Sequence, residues 1–91
     1  MVMFTLWRYS RSWALNINNM IEKFYRYGTK KDISDVDKEI LTANNALANL
    51  EGIKNRCSFP GKFFCNMCIK TVNNTLRLLE DLRTFLETIN G

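Results

Sequence analysis

Apolar residues in the second half of the chain recur at the three- and four-residue steps of an α-helix. Cys65, Cys68, Val72, Thr75, Leu79, Leu82, Leu86 and Ile89 form one unbroken seam. Such a seam is the signature of a helix that buries one face. A second series, Ile33, Val36, Ile40, Ala43, Leu47, Leu50 and Cys57, follows the same rule with one break, where Ile53 or Lys54 fills the slot before Cys57. Pro60-Gly61 between them is a strong turn signal. The pattern predicts two long helices folded back on each other, and the third helix also carries Phe64, Met67, Ile69, Leu76, Leu78 and Phe85 outside its seam. One neighbour cannot cover so wide a surface, so a further helix or a second chain is expected against it.

The first part of the chain supplies that helix. Met3, Trp7, Ser10, Ala14, Ile17, Ile21 and Phe24 fall on one line, and Trp13, Ile17, Met20, Ile21 and Phe24 form its expected core face. Gly28 is a natural stop, and Arg26 in the last turn suits the helix dipole. The start is open between residues 2 and 10, and a short strand over residues 1–7 would have no partner. The expected fold is all-α, a single-domain antiparallel three-helix bundle built on a long helical hairpin, with helices at about 10–27, 33–56 and 63–89. Asp32 or Ser34 is expected to cap the second helix, and Gly52 to bend or shorten it.

Size and composition agree with this. A chain of 91 residues with 46% hydrophobic and 24% charged residues suits one small folded domain. One proline and four glycines are too few for many short strands. No apolar run is long enough to span a membrane. The run from Met1 to Leu6 lacks the preceding basic residues and following cleavage site of a signal peptide. The expected location is therefore cytoplasmic, in a host's cytoplasm if the protein is viral.

The net charge of +4 is unevenly spread. Residues 1–31 hold six basic side chains and one acid, residues 32–51 five acids and one lysine, and residues 52–77 five basic side chains and no acid. Acids at the start of the second helix and bases at its end complement its dipole. Trp7, Arg8, Tyr9, Arg11 and Trp13, with Lys30 and Lys31, form the expected partner-binding set, because Trp, Tyr and Arg are enriched at binding hot spots.

Cys57, Cys65 and Cys68 should gather at one end of the hairpin. Reduced, buried thiols are the expectation. A disulfide from Cys57 to Cys65 or Cys68 and a zinc site are the alternatives. Zinc would find three thiolates and no histidine, so a carboxylate, a water or a second chain would have to complete its four ligands. The lack of histidine also removes the commonest general base, and no phosphate-binding glycine loop is present. The expected function is non-catalytic: stoichiometric binding to another protein as an inhibitor or adaptor, with homo-oligomerisation through the third helix also expected. Small helical chains of this composition are common among phage and plasmid products that block host machinery, anti-defence proteins included. A basic nucleic-acid-binding regulator is the first alternative, on the pI near 9.2 and the basic residues of the first 31 positions. A zinc- or disulfide-stapled assembly subunit is the second.

Overall fold

The computed structural model describes residues 2–89. Helix α1 spans Val2–Tyr27, α2 Ile33–Arg56 and α3 Gly61–Thr88, with a short 3-10 turn at Lys30–Asp32 before α2. No strand occurs among the described residues, and none of the described helices is long and apolar enough to cross a membrane. The chain runs up, down and up, and it is elongated, at 49 × 19 × 14 Å. Helix α3 is the central member: it packs against both α2 and α1, and no comparable contact joins α1 to α2.

The α3 seam is the spine of the core. Cys65, Cys68, Val72, Thr75, Leu79, Leu82 and Leu86 are all buried. Full burial of each leucine contributes about 1.5–3 kcal/mol relative to exposure. Thr75, the one polar member, donates its hydroxyl to the Thr71 carbonyl at 3.0 Å, so its burial leaves no unpaired group. Around this spine the core divides in two. Near the α1–α2 connector, Ile17, Ile21 and Val36 close on Leu79, Leu82 and Leu86. Towards the α2–α3 turn, Ala43 and Leu50 pack on Cys68 and Val72, with Trp7, Ala46, Leu47, Ile69 and Leu76 around them. Trp13 packs against both groups.

Several boundaries differ from expectation. Helix α1 begins at Val2, the earliest start in the expected range of residues 2 to 10 and ahead of the expected span of about 10–27. Nothing in residues 2–9 breaks a helix, and the half-buried Trp7 joins the core at this end. Helix α3 starts two residues early, at Gly61, and ends at Thr88. Gly52 does not end α2, which runs through it to Arg56. No side-chain cap closes the start of α2. Asp32 instead reaches back to accept the Thr29 backbone N–H at 2.8 Å, pinning the 3-10 turn, and Ser34 donates to the Lys31 carbonyl at 3.4 Å. Gly28 ends α1 without a positive φ. The seam position of Met3 and the closing Asn90-Gly91 lie outside the residues whose side chains or backbone are described.

Part of the wide apolar surface of α3 is covered within the chain. Phe64, Met67, Ile69, Leu76 and Phe85 are all half-buried, leaving Leu78 exposed. Helix α1 supplies much of that cover, with the Tyr25 ring tilted against Phe85 at a centroid distance of 4.8 Å. Across the other contact, the Arg83 guanidinium of α3 holds Asp37 of α2 at 2.5 Å and also pairs with Glu87.

Candidate functional site: an apolar groove at one end of the bundle

Because α1 and α2 both lean on α3 without closing on each other, a gap remains between them. Part of it lies towards the end where α1 starts and α2 finishes. There it forms a groove of about 260 Å³ lined by Leu6, Tyr9, Ser10 and Trp13 of α1 and by Thr42, Ala46, Asn49, Leu50 and Ile53 of α2. Val72 of α3 also lines it. The walls are almost entirely apolar, with Tyr9, Ser10, Thr42 and Asn49 as the polar exceptions.

The expected partner-binding set does not form one surface. Tyr9 and Trp13 line the groove. Trp7 lies on the other flank of α1, beside Met67 and Thr71 of α3, where the Arg11 guanidinium stacks over its ring at 5.1 Å. Arg8 stands between the two flanks, sharing shallow recesses with Thr5, Tyr9 and Ser12 on one side and with Trp7, Arg11 and Leu15 on the other. Lys30 and Lys31 are in the connector after α1. At 1.5 Å per helical residue they stand roughly 30 Å from Arg8. The basic residues near in sequence are thus spread along the whole length of α1.

The folded hairpin brings a different set together. Phe59, in the α2–α3 turn, is 80% exposed, and Phe63 in the first turn of α3 is 52% exposed. Their rings are 6.5 Å apart, and Phe63 meets the half-buried Phe64 edge-on at 5.7 Å. The Phe59–Pro60 peptide is cis. The same half of the bundle, residues 5–16 and 49–72, carries Arg8, Arg11, Lys54, Arg56, Lys62 and Lys70 against the single acid Glu51. The ion pairs among the described residues, Arg26 with Glu22 and Arg83 with Asp37 and Glu87, all lie in the other half. Phe59, Phe63 and the charge of residues 52–70 were absent from the expected site. The clue was in the Phe-Pro-Gly-Lys-Phe-Phe run, which reads locally only as a turn.

The cysteines gather at this end as expected. All three are free, with Cys65 and Cys68 buried and Cys57 half-buried. Burial pushes the Cys65 thiol above its ordinary value, and the neighbouring Cys57 and Cys68 push it the same way against a weaker opposing pull from Lys54. Among the described residues no group of three or more Cys, Asp or Glu side chains is placed to hold a metal ion.

Compared with protein-family models, with curated proteins and with solved structures, the chain matches none of them.

Proposed function

We propose that the protein is a small non-catalytic binding module that engages another protein through the groove end of the bundle, as a stoichiometric inhibitor or adaptor. The observation carrying this reading is the coincidence at one end of an open apolar groove, two exposed phenylalanines and positive charge that no ion pair among the described residues engages. Exposed apolar surface rimmed by polar groups is what protein interfaces present before they are occupied. Blocking a larger host complex, as small phage and plasmid proteins do, is one form this role would take.

The basic end also favours a second reading, a nucleic-acid-binding regulator. The two differ in salt response, since phosphate contacts make affinity fall steeply with ionic strength, and an interface anchored by Trp, Phe and Leu loses little. The test is a pull-down from native cell lysate, with and without nuclease, eluted by a salt gradient. A stoichiometric protein band that survives nuclease and high salt is expected. Recovery of nucleic acid alone, released at moderate salt, would overturn the protein-binding reading.

A further inference from the structure

We infer that the groove seats an amphipathic helix of the partner protein with acidic flanks, laid between α1 and α2 as the fourth helix of the bundle. This rests on the protein-binding reading above and specifies the chemistry of what is bound.

The walls select a helix over an extended segment. An extended peptide needs hydrogen-bond partners for its backbone, and the groove offers Leu6, Trp13, Ala46, Leu50, Ile53 and Val72 with few polar groups. A helix satisfies its own backbone and needs only apolar anchors beneath it. The α2 wall from Thr42 to Ile53 is roughly 16 Å long, about three helical turns. That length suits anchors spaced three and four residues apart. Ala46 in the middle of this wall keeps it low, so a neighbouring helix can approach. A fourth helix here would occupy the side of the bundle that α1 and α2 leave open, as in four-helix bundles.

The charge selects the flanks. Arg8 lies on the outer face of α1, between its two flanks, in the same basic half of the bundle. Arg56, on the exposed face of α2, folds back to donate to the Gly52 carbonyl at 3.3 Å. No ion pair among the described residues engages either arginine. Acidic residues flanking the partner's apolar seam would meet this field, and basic ones would be repelled. The α2 of a second folded copy does not fit the description: its apolar face already lies on α3, and Leu41 is the one large exposed apolar side chain described on that helix.

The test uses the intact chain and two synthetic helical peptides of about 16 residues, long enough to span the groove. Both carry leucines at i, i+3, i+4 and i+7; one has glutamates at the flanking positions and the other lysines. Binding is read by anisotropy of a label on the peptide, and helix content by circular dichroism confirms that each variant is folded. The Glu peptide is expected to bind the native chain about tenfold more tightly than the Lys peptide, and to lose about tenfold in affinity on Ala46→Trp, which fills the groove. The double variant Arg8→Glu/Arg56→Glu should reverse the preference. Equal binding of the two peptides, no binding of the Glu peptide, or indifference to Ala46→Trp would each overturn the inference. Should it fall while a protein captured from lysate is still lost on Ala46→Trp, the protein-binding reading survives with a different occupant. Binding to phosphatidylserine vesicles in place of any peptide or protein would overturn both.

Discussion

Gly28 faces Leu86 so closely that a Cβ added to the glycine would lie 2.9 Å from the leucine's Cδ2. The same Cβ would lie 2.4 Å from the Phe24 carbonyl oxygen, which accepts the Gly28 N–H at 2.8 Å. Leucine can rotate away, but the backbone carbonyl of the last turn of α1 cannot. Gly28 is required for space rather than for a left-handed conformation. Gly28→Ala should therefore destabilise the fold by about 1–3 kcal/mol, as overpacking does, and lower Tm by roughly 5–15 °C for a chain of this size. Thermal denaturation followed by circular dichroism measures this. An unchanged Tm would show that the connector relaxes freely.

Gly52 is the opposite case. It lies inside α2, and a Cβ there would meet only the Arg56 Nη2, at 3.8 Å. Glycine gives the helix interior more conformational freedom to lose than alanine does. Gly52→Ala should raise stability by about 1 kcal/mol. Urea unfolding would show a higher midpoint with the same slope. A lower midpoint would mean that Gly52 has a role in the bundle that its surroundings do not reveal.

These two glycines illustrate what could be read from the sequence. Periodicity identifies the buried face of a helix, so Cys65 to Leu86 were legible as a seam without knowledge of the fold. It does not say which neighbour covers a face. Trp7 and Tyr9 are two residues apart yet lie on opposite flanks of α1, one toward α3 and the other toward α2. That division exists only once α3 has taken the centre. Lys30 and Lys31 are near Arg8 and Arg11 in sequence, but the length of α1 between them sets them roughly 30 Å from Arg8. The charged end of the bundle was hidden for the converse reason. Residues 52–70 are remote in sequence from residues 5–16, and the hairpin return places them side by side.

The Cys65 thiol gives the fold a dependence on alkaline pH. Its folded-state value is raised above the usual 9.0, so the folded chain holds the thiol proton more tightly than the unfolded chain does. The stability it contributes is fully present below the unfolded value and is lost as pH rises through the folded one. Native stability should fall above about pH 9. Cys65→Ala removes this component, so the stability gap between the native chain and the variant should narrow as pH rises from neutral to strongly alkaline. Urea midpoints of the two proteins at matched pH values test it. A gap that stays constant with pH would mean that the buried thiol titrates as it does in the unfolded chain.

Phe59 separates stability from function most cleanly. Its ring is 80% exposed in the turn and touches the fold chiefly through Phe63 at 6.5 Å. Phe59→Ser should change unfolding free energy by no more than about 0.5 kcal/mol, as surface substitutions do. If the ring were spare surface, nothing else would change. If it belongs to the contact surface, the variant should retain the native Tm and recover less of the salt-resistant partner from lysate, since an aromatic anchor is worth about 2 kcal/mol or more at an interface. Native stability with undiminished recovery would remove Phe59 from the contact surface and leave the groove between α1 and α2 to carry binding alone. A large fall in Tm would instead show that the turn depends on the ring for its structure.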